Sequence, residues 1–164
     1  MSYHRIYKYT SIGRPLEPAA YPTNKAVLIL LPLAAAVGAI TTWLAGGQAL
    51  QILQAAISFL LIAFGSWALA RELFPDDNPA AFVSMALALL AALSFDSPGI
   101  LILFATLGLA RIVNRSTGMA ARLTDSIIVM LLAFWVIYAT QSPFYGAVAA
   151  LAFVFDGSLK DPLR

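Results

Sequence analysis

The fold is decided by two long apolar stretches, AVLILLPLAAAVGAITTWL at residues 26–44 and ALQILQAAISFLLIAFGSWALA at residues 49–70. Neither stretch contains a charged residue, and only the four residues 45–48 separate them. About 20 apolar residues in a helix, at a rise of about 1.5 Å each, cross the roughly 30 Å hydrocarbon core of a bilayer. The two stretches therefore predict two membrane-spanning helices joined by a tight turn.

Four further apolar stretches follow, separated by Pro, Gly, Asp and Asn residues that interrupt helices. They predict helices over Ala80–Phe95, from about residue 100 to Val113, over Met119–Thr140 and over Phe144–Phe155. Long Ala- and Leu-rich runs favour helices over a membrane barrel, whose strands are alternating segments of about ten residues. The chain is thus expected to be an all-α integral membrane bundle of about six helices in three hairpins.

The composition agrees with a membrane protein. Of 164 residues, 61% are apolar and 11% are charged, and the mean hydropathy is +0.84. A soluble domain carries about 25% charged residues, since water must contact its surface. The net charge of +2 is interpreted as a signal for membrane orientation, and no nucleic-acid partner is expected.

The rarest residue types exclude several kinds of chemistry. The chain has no cysteine, which rules out disulfides, thiol nucleophiles and cysteine metal sites. Its one histidine, His4, lies in a polar segment that precedes the first apolar stretch. This argues against a histidine metal centre and against a Ser-His-Asp triad within one chain.

All ten basic residues fall into regions that a six-helix arrangement brings to one side of the membrane. They are Arg5, Lys8, Arg14, Lys25, Arg71, Arg111, Arg115, Arg122, Lys160 and Arg164. The three connections on the opposite side have no Lys or Arg and a single acid, Asp96. Cytoplasmic loops are enriched in Lys and Arg, so both termini are expected in the cytoplasm of a multi-pass inner-membrane protein.

The predicted domain organisation follows from this orientation. It comprises a cytoplasmic or interfacial N-terminal arm at residues 1–24, the helical bundle at residues 25–157 and a cytoplasmic tail at residues 158–164. The fourth and sixth predicted helices are short, and apolar runs of about 10–14 residues are often re-entrant rather than spanning. The hairpins 80–113 and 119–156 are thus open to both interpretations. If the first is re-entrant, Asp96 is a buried charge within the membrane.

Polar side chains on the predicted cytoplasmic side suggest a lipid-phosphate site. The candidate phosphate-binding residues are Arg71, Arg111, Asn114, Arg115 and Arg122. Arginine binds phosphate oxygens in a bidentate manner. The adjacent carboxylates Asp76 and Asp77 are oxygen ligands of the kind that Mg²⁺ shares with phosphates. Mg²⁺ is therefore the one cofactor suggested, and only if this interpretation holds.

A structural interpretation of the same residues competes with the lipid-phosphate site. Asp76 and Asp77 precede a helix, where acids and capping residues are favoured, and Asp125 lies within reach of Arg122 at the start of another. Arg111 is harder to explain because it lies inside an apolar run, where a charge is costly unless it is paired or reaches the headgroups. We predict that Arg111 either reaches the headgroups or pairs with an acid such as Asp156 or Asp125.

Three functions remain open from the sequence. The first is a non-enzymatic accessory or scaffold subunit of a membrane complex, which suits the short loops and the sparse polar interior. The second is a lipid-phosphate-binding protein or Mg²⁺-dependent lipid-phosphate enzyme, and the third is a small oligomeric transporter. The sequence does not decide whether the chain is an enzyme. Expected partners are membrane lipids, together with other membrane subunits or further copies of the chain.

Overall fold

The computed structural model describes residues 10–13, 16–95, 99–115 and 119–160, and within them the chain forms six α-helices and no β-strand. The helices are α1 (Pro22–Leu44), α2 (Ala49–Leu73), α3 (Asn78–Ser94), α4 (Ile100–Asn114), α5 (Leu123–Thr140) and α6 (Pro143–Ser158). The predicted all-α class with six helices is confirmed for this part of the chain.

Three of the helices begin with proline in their first turn. Pro22, Pro79 and Pro143 occupy the first or second helical position of α1, α3 and α6. The first turn needs no intrahelical N–H, and the fixed φ of proline suits it. The helix α1 therefore begins at Pro22, before its predicted start at Ala26.

The start of α5 differs from the prediction in the opposite direction. The helix begins at Leu123 rather than at Met119. Arg122 is the preceding residue in extended conformation, with φ −77° and ψ 156°, and its N–H bonds to Ser11 Oγ at 3.2 Å. Because this N–H is bonded by a distant segment, the chain enters the helix four residues later than its apolar pattern suggests.

The chain divides into two compact units. Residues 16–103 form the first, called here the α1–α3 unit, and residues 1–15 together with 104–164 form the second, the α4–α6 unit. The division falls inside α4, whose residues from Phe104 onward belong to the second unit. The N-terminal segment thus belongs to the same unit as the last helices of the chain.

In the α1–α3 unit, α2 packs against both α1 and α3. The contact with α1 is close at Gly38, where a Cβ atom would lie 2.7 Å from the carbonyl oxygen of Ala55 and from the Phe59 ring. Only a residue without a side chain allows this approach. Further along α2, the Ser84 hydroxyl of α3 donates to the Ser66 carbonyl oxygen at 3.4 Å.

In the α4–α6 unit, α5 packs against α6, and the later part of α4 contributes to the same core. The buried core residues are Leu109, Ile112, Val129, Ala133, Ala149 and Ala152. Ile12 of the N-terminal segment packs against this core. The N-terminal segment therefore covers part of a core whose residues lie about 100 to 140 positions later in the chain.

Three described helices, α1, α2 and α5, are long and apolar enough to cross a membrane. Only 17%, 39% and 22% of their apolar windows are buried within the chain. The helices α3, α4 and α6 are apolar but shorter, with 17, 15 and 16 residues. Most residues of these windows are thus not buried within the chain.

Candidate functional site

The main polar site of the α4–α6 unit surrounds the carboxylate of Asp125, the third residue of α5. Asp125 Oδ2 accepts hydrogen bonds from the Ser11 N–H at 2.7 Å and from the Ser11 hydroxyl at 2.9 Å. The Arg122 N–H lies 3.4 Å from the same oxygen. Asp125 and Ser11 are each only 2% exposed. A buried carboxylate is tolerated when hydrogen bonds replace its hydration, and the N-terminal segment supplies most of them.

The Ser11 hydroxyl acts as donor and acceptor at once. It donates to Asp125 and accepts from the Arg122 N–H at 3.2 Å. An N–H in the first turn of a helix has no intrahelical partner, so Ser11 caps α5 from 111 positions earlier in the chain. The helix start is thus stabilised jointly by Asp125, from within α5, and by Ser11, from outside it.

The neighbouring residues hold this segment in shape. Thr10 Oγ1 accepts from the Gly13 N–H at 3.2 Å, which closes a local turn of the type that Ser and Thr favour. Ile12 directs its side chain to the apolar core, while its carbonyl oxygen accepts from Arg111 Nη1 at 3.0 Å. Residues 10–13 therefore have one apolar contact and polar contacts to both α4 and α5.

Arg115 follows α4 and binds the end of α6. Its Nε and Nη2 atoms donate to Asp156 Oδ1 at 3.1 and 2.9 Å. Its guanidinium also donates to the Asp156 carbonyl oxygen at 2.8 Å and to the Lys160 carbonyl oxygen at 3.0 Å. The ion pair is largely shielded, with side-chain exposures of 12% and 18%. The Asp156 carbonyl oxygen already accepts from the Leu159 N–H at 3.2 Å, so Arg115 adds a second donor to the end of α6 and binds Lys160 beyond it.

These contacts give each terminal segment one arginine from the end of α4 or just after it. Arg111 bonds to the Ile12 carbonyl oxygen and Arg115 to that of Lys160. Asp156 is paired with Arg115, and the pairing of Arg111 with an acid stays a prediction. The Asp125 carboxylate is occupied by Ser11 and the Arg122 backbone.

The remaining candidate phosphate-binding residues have no contact with one another among the hydrogen bonds of the described residues. Asn114 at the end of α4 and Arg122 before α5 are exposed. Arg71, in the other unit, donates to Asn78 Oδ1. Only Arg111, Asn114, Arg115 and Arg122 share a unit, so the structure brings together four of the five predicted residues at most. A common phosphate site stays a prediction.

The candidate metal ligands Asp76 and Asp77 are exposed at the start of α3. Asp77 precedes the helix, and its Oδ1 accepts from the Ala80 N–H at 3.1 Å, as a helix cap does. Across residues 10–13, 16–95, 99–115 and 119–160, no group of three or more His, Cys, Asp or Glu side chains is placed to hold a metal ion. Asp96, the candidate buried charge, lies outside the described residues.

Sequence reasoning missed Ser11 and Ile12. Both lie in a polar segment interpreted as headgroup-level, and no local pattern distinguishes Ser11 from the neighbouring Thr10. It also gave no role to Trp67 of α2, whose indole nitrogen is buried with no hydrogen-bond partner among the described residues. Comparisons with protein-family models, curated proteins and solved structures find no match to this chain.

Proposed function

We propose that the chain is a multi-pass membrane protein whose six helices form three hairpins, with both termini on the cytoplasmic side of the inner membrane. The outward-facing apolar side chains of α1, α2 and α5 support membrane insertion, since only 17–39% of their apolar windows are buried in the chain. Leaving such surface in water costs about 25 cal/mol per Å². A lipid environment removes this cost and makes membrane lipids the first partners of these helices.

The contacts of α4 support a common side for the two terminal segments. Arg111 and Arg115 are one helical turn apart, and they bond to the carbonyl oxygens of Ile12 and Lys160. One turn of helix is about 5.4 Å long, which is small compared with the thickness of a membrane. This argument does not use the count of basic residues, and both arguments favour a common side for the two termini.

The aromatic side chains also suit this orientation. Trp43, near the end of α1, is 64% exposed, and Tyr138 and Phe144, at the α5–α6 connection, are 72% and 67% exposed. Tryptophan and tyrosine accumulate at the membrane–water interface. Both hairpin tips therefore carry the residues expected at the outer interface.

The role that the site supports best is that of a non-enzymatic accessory or scaffold subunit of a membrane complex. One observation carries this proposal: the most buried charged groups of the α4–α6 unit bind the backbone and side chains of the chain itself. Asp125 binds Ser11, Arg111 binds Ile12, and Arg115 binds Asp156. Groups used in this manner stabilise a framework, whereas a catalytic group must face a substrate.

Co-purification tests the accessory role directly. The tagged chain is extracted from its native membranes in mild detergent, with and without prior cross-linking, and its molecular mass is measured. We expect a stable complex that contains at least one other membrane subunit. A chain that elutes alone, or only with further copies of itself, with and without cross-linking, contradicts the accessory role.

Cysteine labelling tests the orientation separately. The natural chain has no cysteine, so single replacements at Gln48, Gln141 and Lys160 each report one connection. We expect an impermeant maleimide to label Gln48→Cys and Gln141→Cys from outside the cell, and Lys160→Cys only after permeabilisation. Labelling of Gln48→Cys and Lys160→Cys from the same side would refute the three-hairpin arrangement.

A further inference from the structure

The four residues 10–13 form a short segment, called here the strap, that lies against the end of α4 and the start of α5. Its polar contacts reach Asp125, Arg111 and the Arg122 N–H. Its apolar contact is the partly buried side chain of Ile12. The strap has no regular secondary structure, so these few contacts, with the local turn at Thr10, hold it in place.

We propose that the strap is a releasable element that is locked by the Asp125 carboxylate, and that its release uncovers Asp125 and Arg111 and uncaps α5. The α4–α6 unit then has a closed state, in which Ser11 covers the carboxylate, and an open state, in which the strap has left. This inference does not depend on the accessory role, since it concerns contacts within the chain.

The lock depends on the hydroxyl groups of the strap. The Thr10 side chain hydrogen-bonds to Asp125, and the Ser11 hydroxyl binds two partners. Ser11 Oγ donates to Asp125 Oδ2 and accepts from the Arg122 N–H, and a hydroxyl is the small side-chain group that performs both roles. Strap docking and the capping of α5 therefore occur together. When Ser11 leaves, Arg122 loses its closer acceptor, and Asp125 loses both bonds from Ser11.

The helices of this unit pack against one another largely without the strap. The packing of α5 against α6 and the buried Ala133, Ala149 and Ala152 involve only helical residues. Local openings occur in segments that have few buried apolar contacts, and the strap contributes one side chain to this core. The helices are thus expected to remain packed when the strap is released.

Maleimide labelling of a single cysteine measures the state of the strap in purified protein reconstituted into vesicles. The reporter is Ile12→Cys, and the fully accessible reference is Ser158→Cys, at an exposed position at the end of α6. A third variant, Ala149→Cys, reports on the core, where Ala149 is buried. With no other change, we expect Ile12→Cys to react at least about tenfold more slowly than Ser158→Cys, because hydrogen bonds to a charged group hold the strap closed.

Three second-site changes test the lock. Asp125→Ala removes the acceptor, and Ser11→Asp sets a second carboxylate against the first. Both should bring the labelling rate of Ile12→Cys close to that of Ser158→Cys, and leave Ala149→Cys slow. Ser11→Thr retains a hydroxyl and should keep Ile12→Cys slow.

Specific outcomes would overturn the proposal. Fast labelling of Ile12→Cys without a second change would mean that no closed state exists. Unchanged labelling in Asp125→Ala and Ser11→Asp would mean that the carboxylate is not the lock. Parallel exposure of Ala149→Cys would mean that the strap opens only when the whole unit unfolds. None of these results bears on whether the chain belongs to a larger complex.

Discussion

Different kinds of contact stabilise the inside of each of the two units. In the α1–α3 unit, the helices approach closely through small residues, as at Gly38 and Ala55. In the α4–α6 unit, charged groups at the helix ends bind distant backbone, as Arg115 does at Lys160 and Asp125 at Ser11. The difference indicates that close packing stabilises the first unit, whereas the stability of the second also depends on a small number of polar contacts at one end.

The largest effect is expected from Gly38→Ala in the α1–α3 unit. The new Cβ atom would lie 2.7 Å from the Ala55 carbonyl oxygen, and backbone cannot rotate away as a side chain can. We expect a loss of about 3 kcal/mol in the free energy of unfolding, the upper part of the range for overpacking. The measurement is unfolding in mixed detergent micelles, followed by far-ultraviolet circular dichroism.

Two other glycines serve as controls for this substitution. At Gly108 the added atom would meet a methyl group of Val129 at 2.9 Å, and at Gly157 it would meet nothing within 4 Å. Gly108→Ala should therefore cost less than Gly38→Ala, and Gly157→Ala should be neutral or stabilising. Equal losses for Gly38→Ala and Gly157→Ala would show that close packing does not determine the stability of the first unit.

The second-largest loss in the free energy of unfolding is expected from Arg115→Ala in the α4–α6 unit. The change leaves the largely shielded Asp156 carboxylate without its guanidinium and removes one donor each from the carbonyl oxygens of Asp156 and Lys160. We expect a loss of about 2 kcal/mol, as for hydrogen bonds to a charged group. Unfolding is measured under the same conditions as for the glycine variants.

Matched arginine variants separate charge from geometry. Arg115→Lys keeps the charge but not the fork of donors, and should recover only part of the loss. Arg122→Ala removes an exposed side chain and should change stability by less than about 0.5 kcal/mol. If Arg115→Ala were as mild as Arg122→Ala, the ion pair with Asp156 would not stabilise this unit.

The helices could be predicted from sequence because the signals that define them are local. Apolar length, together with the Pro, Gly, Asp and Asn residues between the runs, located all six within a few residues of their bounds. The largest displacements are at two helix starts: α1 begins at Pro22 instead of Ala26 and α5 at Leu123 instead of Met119. The later start of α5 has a non-local cause, because the N–H of Arg122 bonds to Ser11.

The polar site could be predicted only in part, for the same physical reason. The unusual position of Arg111 inside an apolar run was visible in the sequence, and Asp125 and Asp156 were identified as candidates for paired charges. Their partners were not, since Ser11 and Asp125 are 114 positions apart and Arg115 reaches Asp156 only after α4 has ended. Pairing across such separations depends on how the helices pack, which periodicity does not encode.

A smaller effect is expected from Asp77→Ala at the start of α3, where the α1–α3 unit does use a charged side chain. The substitution removes the acceptor of the Ala80 N–H and should cost about 1 kcal/mol, as for other helix caps. Asp77→Asn keeps a capping oxygen and should cost little, and Asp76→Ala is the matched control at an exposed neighbour.

The same variants distinguish capping from the predicted metal site. If Asp77 is only a cap, then adding Mg²⁺ changes the unfolding of the parent and of Asp77→Asn equally. If Mg²⁺ stabilises the parent but neither Asp76→Ala nor Asp77→Asn, the result would instead support metal binding at this loop.

The smallest effect is expected from Ser84→Ala, which removes the hydrogen bond between α3 and the Ser66 carbonyl oxygen. This oxygen already accepts within α2, and the bond is long at 3.4 Å, so the loss should be about 0.6 kcal/mol, the average for polar contacts between membrane helices. Ser94→Ala, at an exposed position of α3, is the control. A loss as large as that of Arg115→Ala would remove the contrast between the units, because a polar contact would then be as important between α2 and α3 as at the end of α4.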